Sequence, residues 1–145
     1  MNPYFKTGLV ILLVVIMGVM HIACEKENTR TELIEALEGR WKVEESSELL
    51  GTNSYFVSIS IFPGDSSKIF ISNFYGLDNE NATARVQDSR IILNTDQKIN
   101  VINATYVIKS GTGIISDDYQ SIEWTYQVAD GSGAIDHVEA FYEKM

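Results

Sequence analysis

Ser121-Ile122-Glu123-Trp124-Thr125-Tyr126-Gln127-Val128-Ala129 alternates without a break: Ile122, Trp124, Tyr126 and Val128 share one face, and Ser121, Glu123, Thr125 and Gln127 share the other. Neighbouring side chains in a strand point to opposite sides, so this segment reads as a strand with one dry and one wet face. Tyr55, Val57, Ile59 and Ile61 repeat the pattern against Ser58 and Ser60. A sheet with a single apolar face has to bury it, either by curling on itself or by packing against a second sheet.

Outward from this segment the period of two persists from Arg40 onward, and no later window carries a helical apolar stripe. The pattern predicts eight strands: Trp41–Glu48, Ser54–Phe62, Lys68–Ser72, Ala82–Gln87, Arg90–Asn94, Ala104–Ser116 with a bulge at Gly111 or Gly113, Ser121–Ala129 and Ile135–Lys144. Turn-forming groups separate them at Gly51-Thr52-Asn53, Pro63-Gly64-Asp65, Asp88-Ser89, Asp117-Asp118 and Asp130-Gly131-Ser132-Gly133. Connections this short make antiparallel hairpins, because a parallel pair needs a crossover of about a dozen residues or more. Upstream, Thr29-x-x-Glu32 has capping-box spacing, and Leu33, Ile34 and Leu37 share a helical face before Gly39. The expected fold is all-β: an eight-stranded antiparallel meander, closed as a small barrel or folded as two sheets, after one short helix. Closure would also remove the open sheet edges.

Leu37-Glu38-Gly39-Arg40-Trp41-Lys42-Val43 sets a Gly between the helix and a strand that opens on Trp. Gly39 permits a tight turn, and Trp41 as the first inward residue plugs the barrel end. Here the chain resembles the lipocalin and wider calycin families, in which a short helix and Gly-x-Trp begin an eight-stranded antiparallel barrel. The resemblance implies a basic side chain from the last strand packed over the Trp, and Lys144 holds that position. Ser58-Ile59-Ser60-Ile61, Phe70 to Leu77, Thr125 to Gly133 and terminal Tyr142-Glu143-Lys144 also resemble the small lipocalin-like lipoproteins of Bacteroidetes, most of unassigned function. That likeness implies fold and location and transfers no catalytic residue.

The start of the chain reads as an address. Lys6 precedes a run from Gly8 to Met20 in which every residue is apolar or Gly, and the only cysteine, Cys24, follows small Ala23. A bilayer-spanning helix needs about twenty apolar residues, and this run is shorter. It resembles a bacterial lipoprotein signal, with His21 in the place where that family usually carries Leu. The implied division is 1–23 signal peptide, 24–30 tether acylated at Cys24, and 31–145 β domain. The implied partner is the membrane, reached through the lipid anchor, and the implied location is the bacterial envelope at the outer membrane. Two or three acyl chains hold a domain stably where one would not.

Composition narrows the function classes. Twenty acidic against 11 basic residues give a net charge of −9 and no basic face for phosphates, which argues against nucleic acid. One Cys and two His leave too few soft ligands for zinc or haem, so neither a metal nor a cofactor is expected. His137 lies beside Asp136 in a strand without a nucleophile partner and reads as solvated. Asp117-Asp118 reads as a turn rather than a calcium site, and Asp65-Ser66-Ser67 lacks the strand-turn-helix setting of a nucleophile elbow. The chain is not expected to be an enzyme.

Two readings stay open. In the first, the barrel binds a small apolar or amphipathic ligand, with Trp124, Tyr126, Tyr55, Phe74 and Tyr75 as the ligand-binding candidates and Gly39 and Trp41 as the plug. In the second, a solid-cored accessory lipoprotein contacts another envelope protein or a glycan through its outer face. Phe74, Tyr75 and Leu77 sit in a Gly/Asn/Asp-rich connection, where apolar residues either fold under the domain as a lid or mark a contact surface. Oligomeric state is left open by the sequence.

Overall fold

The computed structural model describes residues 32–78, 80–101 and 104–145. Cys24, the leader, the tether and the Thr29 capping position lie outside the described residues. The compact β unit is Leu33–Met145.

Helix α1, described over 32–37, buries Leu33, Ile34 and Leu37, the three residues of its apolar face. Among the described residues nine strands follow: β1 Gly39–Ser47, β2 Gly51–Ile61, β3 Lys68–Ser72, β4 Asn81–Gln87, β5 Arg90–Leu93, β6 Lys98–Val101, β7 Ala104–Ile115, β8 Ser121–Ala129 and β9 Ile135–Lys144. All pairings are antiparallel, and eight strands form a closed ring, β1-β2-β3-β4-β5-β7-β8-β9. Closure is by β5 on β7 and by β9 on β1, so the two-sheet sandwich is excluded and the eight-stranded antiparallel barrel stands.

β6 is the strand that periodicity missed. Arg90↔Ile114 and Lys98↔Val107 pair with the same β7, so β5 and β6 are two lengths of one interrupted strand. The interruption, 94–97, stays tied to the sheet. Asp96 N–H bonds Ile108 O at 2.7 Å, and Ile108 N–H bonds Gln97 O at 3.1 Å. The Gln97 side-chain amide then acts as a peptide group toward β4, accepting from Thr83 N–H at 2.8 Å and donating to Thr83 O at 2.9 Å.

Two local expectations are corrected. The bulge falls between Ile108 and Ser110 rather than at Gly111 or Gly113. It shifts the inward positions from Ile108 to Gly111, Gly113 and Ile115, which puts the glycines in the lumen. The first hairpin turns at 48–50, and Gly51 already pairs with Ser47. That turn is held by side chains: Asp136 Oδ1 accepts from Leu49 N–H at 3.1 Å and Ser47 Oγ from Leu50 N–H at 2.7 Å.

One end of the barrel is plugged. Trp41 is fully buried, and its indole N–H donates to Leu37 O at 3.0 Å, fastening α1 across the opening. Gly39 joins α1 to β1 at φ 132°, a conformation that L side chains rarely adopt, which explains the Gly of the Gly-x-Trp segment. Lys144 sits 5.7 Å over the Trp41 ring, the position expected of it, and it also donates to Ala36 O. The lumen above the plug is filled by alternating large and small residues. Across the sheet, Glu45, Ala140, Trp124 and Gly113 form one inward row, and Ser47, Val138, Tyr126 and Gly111 form the next. A Cβ on Gly113 would meet Trp124 at 2.8 Å and Ile122 at 2.9 Å, and one on Gly111 would meet Leu93 at 2.3 Å and Tyr126 at 2.9 Å.

Candidate functional site: the lidded mouth

The end opposite the plug is where polar groups enter the barrel. On β1, Trp41 and Val43 point inward, and the same parity carries Glu45 and Ser47 inside, only 3% and 6% exposed. On β9, Tyr142, Ala140 and Val138 point inward, and parity carries Asp136 inside at 1%. The mouth therefore holds two buried carboxylates.

Tyrosines surround them. Tyr55 and Tyr126 both donate their hydroxyls to Glu45 Oε2. Asp136 Oδ2 accepts from Tyr75 at 2.5 Å and from Ser47 Oγ at 2.6 Å. Burial pushes the Glu45 carboxyl above the ordinary carboxylate range. The Tyr126 and Tyr55 bonds pull it partly back, and the Asp136 charge raises it further. Burial pushes Asp136 the same way, but bonds from Ser47, Tyr75 and the backbone at Leu49 and Glu48 outweigh it and leave its pKa below the usual value. Burial, aided by the nearby carboxylates, raises the phenols of Tyr55, Tyr75, Tyr126 and Tyr142 far above their ordinary range. At neutral pH all four stay protonated, and Tyr55, Tyr75 and Tyr126 donate to the two acids.

The cover is the connection between β3 and β4. A 3-10 turn, Phe74–Gly76, folds Phe74 and Tyr75 over the opening, where they are 0% and 6% exposed. Phe74 lies 4.9 Å from the Tyr126 ring centre, and Tyr75 lies 5.7 Å from Tyr106 and 6.3 Å from Tyr126. The inward fold requires left-handed backbone at two residues with side chains, Asn73 at φ 57° and Tyr75 at φ 60°. Each such residue costs about 1–3 kcal/mol and persists only where its surroundings enforce it. Here the Tyr75–Asp136 bond and an Asn73 Nδ2 bond to Phe56 O at 2.7 Å do so. The connection is thus a lid rather than an exposed contact surface.

Four of the five ligand-binding candidates, Tyr55, Phe74, Tyr75 and Tyr126, meet at the mouth. Trp124 lies in the Glu45 row, its ring tilted against that of Tyr142 with centres 5.6 Å apart. The mouth residues pack on one another and on the two acids. Two depressions of about 540 and 550 Å³ lie on the outer wall, lined chiefly by outward residues of β1, β8 and β9 such as Glu44, Ser46, Glu123, Thr125, Glu139 and Phe141. His137 is exposed, its Nδ1 3.1 Å from Gln127 Nε2, as a solvated strand histidine should be. Asp117-Asp118 forms the β7–β8 turn. Among the described residues there is no group of three or more His, Cys, Asp or Glu side chains able to hold a metal.

Sequence reasoning missed Glu45, Ser47, Asp136, Tyr106 and Tyr142. The signal for three of them was present: a carboxylate or hydroxyl at an inward parity position of an otherwise alternating strand.

No family model matches this chain, and no curated protein matches it. Among solved structures it is similar to a redesigned β-barrel, at 10% identity and TM-score 0.51, covering 78% of this chain and 95% of that one. It is also similar to EF1p2_mFAP2b, solved bound to DFHBI, at 12% identity and TM-score 0.52, covering 79% of this chain and 98% of that one. At these identities the likeness is one of fold: this chain is a small closed β-barrel.

Proposed function

We propose that this chain is a lipid-anchored lipoprotein of a bacterial envelope, held at the outer membrane through Cys24, whose barrel is a non-catalytic binding module for one small amphipathic ligand at the lidded mouth. The observation that carries this reading is the lid. Left-handed backbone at Asn73 and at the bulky Tyr75 folds Phe74 and Tyr75 over a buried cluster of acids and phenols. Strain of that kind concentrates at ligand clamps and switches. The similar barrel solved with DFHBI is compatible with a small ligand in such a fold. The raised phenols, which stay protonated donors at neutral pH, support binding.

The second reading, an accessory lipoprotein with a solid core, is favoured by the filled lumen and by exposed Ile114 and Phe141 among the outer-wall glutamates. Native mass spectrometry of the protein purified from its own host separates the two. A retained small mass that is lost in Phe74→Ala supports the binding module. A bare chain mass, with no melting shift from any small amphipath, supports the accessory reading.

A further inference from the structure

The tyrosines of the mouth stand on barrel strands, with one exception. Tyr55 is on β2, Tyr106 on β7, Tyr126 on β8 and Tyr142 on β9, whereas Tyr75 reaches the same space from the lid. Its phenol is seated there as a ligand would be. The hydroxyl donates to Asp136 Oδ2 at 2.5 Å, and the ring meets Tyr106 and Tyr126 edge-on, at interplanar angles of 62° and 78°.

The seat is built without help from its occupant. Asp136 is fixed from the wall side by Ser47 Oγ at 2.6 Å and Leu49 N–H at 3.1 Å, and Ser47 is fixed in turn by Leu50 N–H at 2.7 Å. Tyr106 and Tyr126 stand on β7 and β8, which pair with each other from Val107–Ala129 to Ile115–Ile122. Lifting Tyr75 out therefore leaves a preformed aromatic slot that ends in a carboxylate short of one donor. A buried acceptor left in that condition is costly, so the slot favours a replacement donor over none.

The occupant carries costs of its own. Tyr75 takes left-handed backbone, which a bulky side chain rarely adopts, and so do Asn73 and Gly76 on either side of Phe74–Tyr75. Asn73, at the root of the lid, also keeps a buried Oδ1 with no hydrogen-bond partner among the described residues. Both costs are released when the lid lifts.

The groups of the slot define what else fits it. The Asp136 carboxylate accepts a hydrogen bond and repels an anion, and walls that meet a ring edge to face favour an aromatic body. An aliphatic alcohol supplies the donor without the ring, and a plain arene supplies the ring without the donor.

We propose that Tyr75 is a built-in stand-in for a phenolic ligand: a small aromatic molecule bearing a ring hydroxyl displaces it, taking the bond to Asp136 Oδ2 and the faces of Tyr106 and Tyr126 while the lid swings out. This rests on the reading of the mouth as a binding site and names its ligand class. The lid then sets the affinity, because a site open for only a fraction of the time binds more weakly by that fraction.

The test titrates the purified full chain calorimetrically with p-cresol, toluene and 4-methylcyclohexanol. Wild type should bind p-cresol at least about tenfold more tightly than either of the others, as a hydrogen bond to a charged acceptor implies. The bound form should exchange the amides of 73–78 faster than the free one. Tyr75→Phe, which keeps the lid ring and removes its claim on Asp136, should bind p-cresol about tenfold more tightly than wild type does. The wild-type series stands whether or not the variant folds. Toluene or 4-methylcyclohexanol binding as tightly as p-cresol overturns the phenolic assignment and leaves the mouth a binding site. Equal p-cresol affinity in wild type and folded Tyr75→Phe, or unchanged exchange at 73–78 on binding, overturns the displacement and puts the phenol elsewhere on the barrel. Failure of all three probes overturns the phenolic assignment, while a small mass retained in native mass spectrometry and lost in Phe74→Ala would still keep the mouth a binding site.

Discussion

The Tyr75 hydroxyl donates to Asp136 Oδ2 at 2.5 Å, joining a lid residue to the first inward residue of β9. The same carboxylate takes the Ser47 hydroxyl and the Leu49 N–H, so the lid and the β1–β2 corner hang on one acid. Tyr75→Phe keeps the ring and removes the latch. Leaving a buried acceptor short of one donor costs about 1–3 kcal/mol. The variant should melt lower and exchange the amides of 73–78 faster, and unchanged exchange there would show that the bond does not hold the lid.

Trp41→Ala should be among the most damaging single changes. Truncating a large buried aromatic costs about 3–5 kcal/mol, out of the roughly 5–15 kcal/mol that holds a small domain together. Trp41→Phe should survive with a smaller loss, part of it the indole bond to Leu37 O. Urea unfolding of both variants checks this, and an Ala variant as stable as wild type would make the plug dispensable.

Gly111→Ala should destabilise by about 1–3 kcal/mol through overpacking. Its new methyl would stand 2.3 Å from Leu93 Cδ1 and 2.9 Å from Tyr126 Cβ. Leu93→Val on that background should recover part of the loss, because neighbours sharing a space are non-additive. Strict additivity in the four-variant cycle would mean that the two side chains do not compete.

The two buried acids should give opposite pH slopes. Glu45 is raised above its ordinary 4.5, so between that value and its folded pKa the native state holds more protons than the unfolded one. Stability therefore falls as pH rises through that window. Asp136 is lowered below its ordinary 3.8, so its contribution is present above that value and is lost as pH falls through its folded pKa. Glu45→Gln should flatten the decline that wild type shows above pH about 4.5 and leave the acid limb intact. Unfolding free energies at mildly acidic and neutral pH decide it: an equal decline in both proteins assigns the slope to other groups.

Cys24→Ser should abolish lipidation. Cells fed a clickable fatty acid should label the wild-type chain and not the variant, and equal labelling would remove the lipid anchor from the proposed function. His21→Leu should speed maturation of the precursor.

The barrel was legible because its signal is local. Ile122 to Val128 and Tyr55 to Ile61 announce their faces residue by residue, and Gly39 and Trp41 announce the plug. What stayed hidden depends on partners distant in the chain. Lys98–Val101 is too short and too broken by 94–97 to declare itself a strand, and it is one only because β7 extends past the end of β5. The bulge at Ile108/Ser110 was masked by two glycines that are better explained as space for Trp124 and Tyr126. Glu45 and Asp136 read as solvated acids by residue type, and only the parity of their strands places them inside. The inward fold of Phe74 and Tyr75 depends on Asp136, sixty-one residues beyond Tyr75, and no local pattern encodes it.

The pairing of β9 with both β1 and β8 determines when the ring can exist. β9 is the last strand in chain order, and until it arrives β1 and β8 are open edges able to template other chains. The Trp41–Lys144 and Ser47–Val138 pairs join residues about a hundred positions apart, so the closing step carries most of the loop entropy and makes folding slow for so small a chain. Asp136, which ties down the lid and the first hairpin, travels on that same strand. The mouth therefore assembles in the event that seals the barrel, and a chain stalled before it has neither a closed wall nor a lidded end.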